Sequence, residues 1–191
     1  MATLNSAVAD SVCMRRRRLL GLALLQALAA GPCAAQAEEG ADESHVKAAF
    51  LYKFTGYVEW PDAAFATPDA PFVIGVLGSP LLQSELAKLT TGRKVGERPI
   101  VVRKVQPGEP AATLHLLFIG RSEALPAEPL RPMLVVTEAE ETMPRGSMIN
   151  FLVVDRRVRF EIALPRVEKA GLRMSSRLLV VAQHVIQTED R

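Results

Sequence analysis

The chain has 191 residues, 23 of them basic and 21 acidic, and a formal charge of +2 at neutral pH. The excess of positive charge sits in Arg15-Arg16-Arg17-Arg18. Beyond residue 37 the balance is 19 basic to 20 acidic side chains, which lacks the cationic surplus that nucleic-acid binding requires. Both cysteines, Cys13 and Cys33, also precede residue 38, so the remainder has no disulfide, no thiol nucleophile and no sulfur ligand for a metal.

The first element in chain order reads as an export signal. The four arginines form a basic n-region, residues 19–30 form a short apolar stretch carrying only the amide of Gln26, and Ala35-Gln36-Ala37 supplies the small-x-small cleavage pattern. The apolar stretch falls short of the roughly 20 residues that a spanning helix needs. The expectation is a signal peptide over residues 1–37 and a mature domain over 38–191. That domain would begin near Glu38, act outside the cytoplasm and stay out of the membrane after cleavage. The paired arginines leave both general and twin-arginine export open. The mature length suits one domain with a core of its own.

Residues 38–43 are polar and read as a frayed lead-in. Ser44 can cap a helix over 44–58, in which Val46, Phe50, Leu51, Phe54, Tyr57 and Val58 form a wide apolar stripe at helical spacing. Trp60-Pro61 ends it, because a residue before proline avoids the helical region. Residues 72–77 are a short apolar run of the buried-strand type. Ser79-Pro80 opens a helix over 81–90, Thr91-Gly92 closes it, and a second strand covers 98–105. Further strands are expected over 114–119 and 133–137, separated by Gly120-Arg121-Ser122 and a proline-broken helix. Residues 138–143 read as a short helix or turn.

Residues 148–154 and 158–164 flank Asp155-Arg156-Arg157, which is a hairpin signal and predicts an antiparallel pair. A small helix over 165–170 follows, stopped by Gly171, and Ser175-Ser176 caps a last helix over 176–186. Strands alternating with short helices predict a single-domain α/β fold. Its mixed sheet would be flanked by helices on both faces in three layers, with the antiparallel hairpin toward the C-terminus.

No pattern compels catalysis. A glycine-rich phosphate loop, a nucleophile elbow and a His-Glu-x-x-His motif are all missing, and His45, His115 and His184 lack ligand spacing. The expectation is therefore no catalytic residue, no metal and no cofactor. Glu138, Glu140 and Glu141 suit a solvated helix start. Arg159 and Glu161 alternate with Phe160 and Ile162, so they share one face of a strand, opposite the apolar one. They read either as an ion pair in water at a sheet edge or as the polar rim of a docking surface, and they are the candidates for partner binding. Lys47 falls on the apolar stripe of the first helix. Its stem is expected to pack there while its amine reaches water, the alternative being a buried partner carboxylate. If a small ligand binds, strand ends are the usual place, and Ser79, Ser122 and Glu138 are the candidate residues.

Three stretches together resemble a known family. They are Val46-Lys-Ala-Ala-Phe-Leu-Tyr-Lys-Phe54 running on to Val58-Glu-Trp-Pro61; Phe72-Val-Ile-Gly-Val-Leu-Gly78; and Gly146-Ser-Met-Ile-Asn-Phe151 with Val158-Arg-Phe-Glu-Ile162 and Gly171-Leu-Arg-Met-Ser-Ser176. The chain resembles the YfiR-like family of exported bacterial proteins over nearly all of residues 38–191. The resemblance implies a periplasmic, non-enzymatic repressor that binds the periplasmic sensor domain of a membrane diguanylate cyclase. Cyclic di-GMP would then be made by the partner, and repression would restrain biofilm formation. It also implies a possible homodimer. Relatives carry disulfide cysteines, one just before the strand matching residues 114–119. Here that neighbourhood reads Thr113-Leu114-His115, so the likeness does not extend to redox control through such a bond. The alternative reading is a periplasmic small-molecule-binding accessory sensor.

Overall fold

The computed structural model describes residues 31–121, 123–124 and 132–188. The chain divides into two compact units, residues 1–40 and 41–191, and the second carries the sheet. Among the described residues no helix is long and apolar enough to cross a membrane.

Helix α1 covers Gly31–Tyr57 and is followed by the two-residue strand β1, Val58–Glu59. Its end agrees with the stop expected at Trp60-Pro61, but its start is earlier than Ser44. Residues 38–43 are helical rather than a frayed lead-in. Alanines at 34, 35 and 37 favour the helix, and no proline after Pro32 interrupts it, so an internal serine does not act as a cap. The buried face is also rotated from the expected stripe. Ala48, Leu51, Phe54 and Val58 are buried and Phe50 packs against them, whereas Val46 and Tyr57 are exposed.

The main sheet has eight strands: β2 (Phe72–Leu77), β3 (Lys94–Val95), β4 (Arg98–Lys104), β5 (Leu116–Ile119), β6 (Leu134–Thr137), β7 (Ile149–Val154), β8 (Arg157–Ala163) and β10 (His184–Ile186). Their order is β10-β8-β7-β6-β5-β2-β4-β3. β4, β2, β5, β6 and β7 run parallel, as does the β8–β10 pair, while β7–β8 and β3–β4 are antiparallel. The fold is thus a mixed α/β sheet containing the expected hairpin. Asp155 and Arg156 form its two-residue turn with φ of 51° and 57°, the left-handed pair that matches strand twist. A separate ribbon pairs β1 with β9 (Arg173–Met174) and ties the end of α1 to the C-terminal region.

Helices α2 (Pro80–Thr90), α3 (Leu164–Lys169) and α4 (Ser176–Val181) are the other α-helices among the described residues, and Asp62–Ala64 forms one 3-10 turn. All four helices contribute to one core, in which Phe72, Ile74, Phe118, Val136, Phe151 and Phe160 supply the sheet side. A smaller cluster on the opposite face holds Leu77, Val105, Leu117, Ile119, Met133 and Val135. Gly75 faces this second cluster because a Cβ there would meet Val105 at 2.7 Å and Leu114 at 2.8 Å. The proline-broken helix expected after Gly120 lies outside the described residues, apart from Glu123 and Ala124.

The last expected helix is shorter than 176–186. Ser175 caps it as expected, its hydroxyl accepting from the Arg177 N–H, but the helix stops at Val181 and residues 184–186 are strand β10. Val185 and Ile186 suit extended backbone, and residues 184–186 pair with β8. β10 pairs with residues 161–163 of β8, so Glu161 does not lie on a sheet edge, whereas Arg159 lies beyond that pairing.

Candidate functional site

The two ends of the parallel strands differ in chemistry. At the N-terminal ends, Phe65 stacks on the His115 ring at 4.5 Å and Trp60 meets Phe72 edge-on at 4.8 Å. The Arg98 guanidinium lies 3.7 Å above the Phe65 ring and donates to the carbonyls of Thr67 and Ala70. His115 Nδ1 accepts from the Val73 N–H at 3.0 Å, so the neutral ring carries its proton on Nε2. Trp60 Nε1–H donates to the His115 carbonyl. This end is a closed plug that fastens residues 61–71 to the sheet, and His115 is a structural residue within it.

The C-terminal ends carry charge and leave space. Lys47, on α1, is only 4% exposed and donates to both Glu43 and Glu138. The amine therefore does not reach water, contrary to the expectation from its sequence position. It is enclosed between a carboxylate one turn earlier on its own helix and one from the segment after β6. That second partner, 91 residues away, is invisible to helical spacing. Arg121 extends the network, donating to Glu140 at 2.7 Å and to Glu43 at 3.3 Å.

Beside it lies an uncharged network. Thr137 Oγ1 donates to Asn150 Oδ1 at 2.9 Å and sits 2.8 Å from Ser147 Oγ. Asn150 Oδ1 accepts from the Ala139 N–H while its Nδ2 donates to the Ala139 carbonyl and to Glu161. The buried amide of Asn150 thus serves as a surrogate strand residue for Ala139. It holds the segment after β6, irregular at 138–139 and bent at 140–142, beside β7.

Between these networks is a groove of about 550 Å³. Lys47, Glu138, Glu141, Glu161 and His184 line it, together with residues 151–154 of β7. Glu161 and Glu138 therefore share a groove, which the sequence did not pair. Arg159 is exposed and is not among the groove residues, and no ion pair joins it to Glu161. Ser79 lines a different depression of about 330 Å³ with Pro80, Gln83 and Glu123. Ser122 lies outside the described residues, and Ser79 and Glu138 line different depressions. Asn150 and Thr137 are residues of this candidate site that sequence reasoning missed, whereas Lys47 was singled out there without its partners. A lysine on an apolar helical stripe was the one available signal.

No group of three or more histidines, cysteines and carboxylates among the described residues could hold a metal ion. The groove offers hydrogen-bond acceptors, carboxylates and open strand backbone. That chemistry suits recognition.

The model of the YfiR/HmsC-like family matches residues 44–183, from the serine before Lys47 to the residue before β10. The chain belongs to this family. Family membership ties it to regulation in cyclic di-GMP signalling, and the family is one of periplasmic, non-catalytic regulators. The matched span contains Lys47, Glu138, Asn150 and Glu161, so the groove is part of the family domain apart from His184. No curated protein matches the chain in sequence.

Proposed function

We propose that residues 38–191 are exported and repress a membrane diguanylate cyclase by binding its periplasmic sensor domain, thereby lowering cyclic di-GMP and biofilm formation. The observation that carries this reading is the family match over residues 44–183. The basic run, apolar stretch and Ala35-Gln36-Ala37 support export of the chain with its first 37 residues removed. Arg159 and Glu161 are proposed to contact the partner, and the mature protein is proposed to act as a homodimer.

The test is genetic. Deleting the gene should raise cellular cyclic di-GMP, and re-expressing the full chain should lower it again. A version lacking residues 1–37 should fail to do so, because it never meets a periplasmic domain. Unchanged cyclic di-GMP in a deletion strain that normally expresses the protein would remove the repressor reading. N-terminal sequencing of the mature form should begin at Glu38.

The groove of about 550 Å³ favours one second reading, a small-molecule-binding accessory sensor. Glu138 would be its ligand-facing residue. Ser79 would serve such a sensor only through its separate depression. Thermal stabilisation of the mature protein by a periplasmic metabolite, with no change in cyclic di-GMP on deletion, would select it.

A further inference from the structure

β7 is longer than its neighbour on one side. All six of its residues pair with β8, but β6 meets only Ile149 and Asn150 before it ends at Thr137. In a two-residue hairpin the pair closing the turn, here Val154 and Arg157, exchanges both hydrogen bonds, and alternate pairs behind it do likewise. Phe151 and Val153 consequently direct their peptide groups away from β8, toward the side that β6 has left. The chain that could have continued β6 is held off by Asn150, whose side chain takes both backbone groups of Ala139. Among the described residues no backbone hydrogen bond reaches Val153 from that side. Leu152 is half-buried and Val153 and Val154 are exposed, so this stretch of edge opens into the groove.

The charge around the opening is one-sided. Glu138 is engaged by Lys47 and Glu140 by Arg121, whereas Glu141 and Glu161 have no cationic partner among the described residues. Open strand edges are templates for pairing, and proteins normally cover or charge them. Here no described residue covers the edge, which lies in a groove whose spare charge is negative.

We propose that the groove captures an extended peptide segment of the partner protein as an added strand along residues 151–154 of β7, with a lysine or arginine of that segment reaching Glu141 and Glu161. Main-chain pairing supplies the affinity, and the basic side chain supplies the choice of segment. The inference rests on the reading that this protein works by contact with another protein, and it names the place and the chemistry of that contact.

The probe is a random 12-residue peptide library selected on the mature protein, which requires no knowledge of the natural partner. Enriched peptides should alternate β-branched or aromatic residues with at least one lysine or arginine. Val153→Pro removes an N–H that the β7–β8 ladder does not use. It should weaken the selected peptides about tenfold or more, since a strand hydrogen bond is lost and approach is blocked. Glu141→Lys, at an exposed position that should not disturb folding, should weaken basic peptides and spare their neutral versions. The proposal is overturned if nothing is enriched, if enriched peptides bind Val153→Pro as well as the parent, or if they carry no basic residue. The regulator reading is decided separately by cyclic di-GMP in the deletion strain, so either can fail without the other.

Discussion

The two ends of the parallel strands show how one sheet can be closed at one end and receptive at the other. The N-terminal end is sealed by rings and one guanidinium: Phe65 and Phe72 stack on His115, Trp60 meets Phe72 edge-on, and Arg98 covers Phe65. The C-terminal end is held by charge and by one amide: Lys47, Arg121, Glu43, Glu138 and Glu140 form a network beside Asn150. Aromatic faces gain by excluding water and leave no vacancy. Charged side chains lose hydration when buried and must be paired, and here they border the groove. The same helix, α1, joins the two ends, with Lys47 at one and the segment leading to Trp60 at the other.

The largest expected effect lies between the two ends. Phe54 is fully buried against Phe151 and Phe160, with ring centroids at 5.9 Å and 5.2 Å. Phe54→Ala should cost about 3–5 kcal/mol in urea unfolding. A loss below about 1 kcal/mol would mean that α1 does not anchor the core.

The charged end should come next. Lys47→Met strands two carboxylates and should destabilise by about 2–4 kcal/mol. Adding Glu138→Gln should recover part of that loss, because the uncompensated charge is what costs. If the double variant is simply the sum of the singles, the two residues are not coupled.

At the aromatic end, Arg98→Ala removes a cation–π contact and two bonds to carbonyls, and should cost about 1–2 kcal/mol. Arg98→Lys should recover only a fraction, since an ammonium cannot lie flat on Phe65 while reaching both carbonyls. Full recovery would show that charge alone, rather than the planar fork, fastens this loop.

The smallest effect concerns pH. Hydrogen bonds from Lys88 and then His45 hold the Glu85 carboxyl below its ordinary value. A carboxyl depressed in the folded state stabilises above its unfolded pKa, and that contribution disappears as pH falls through the lowered folded value. Glu85→Gln should therefore melt slightly below the parent at pH 7, and the two melting temperatures should converge under more acidic conditions. A constant gap would assign the difference to something other than this titration.

Much of the fold was legible without coordinates, because local signals coincide there with tertiary demand. The apolar run of β2 has the bounds expected of it, Pro80 opens α2, and the two-residue turn between β7 and β8 follows from its flanking alternation. The capping role of Ser175 and the stop at Gly171, with φ of +74°, were likewise local. The lengths of α1 and of the last helix were not, since alanine-rich continuation overrode one signal and pairing with β8 overrode the other. The two-residue strands β1, β3 and β9 are too short to show a period.

The site divides in the same way. Composition alone left residues 38–191 without a cysteine and without a surplus of basic side chains, and alternation alone put Arg159 and Glu161 on the polar face of one strand. Only the tertiary structure separated those two residues, gave Glu161 the amide of Asn150, and brought Glu138 to Lys47 across 91 positions. It also ended β6 at Thr137, so that among the described residues β7 runs on beyond its neighbour, which no residue type announces. Local chain stiffness and hydrophobic period act over a few residues and can be read in order. Ion pairs and unmatched strand lengths arise when distant segments meet, and they are set by the packing of the whole sheet.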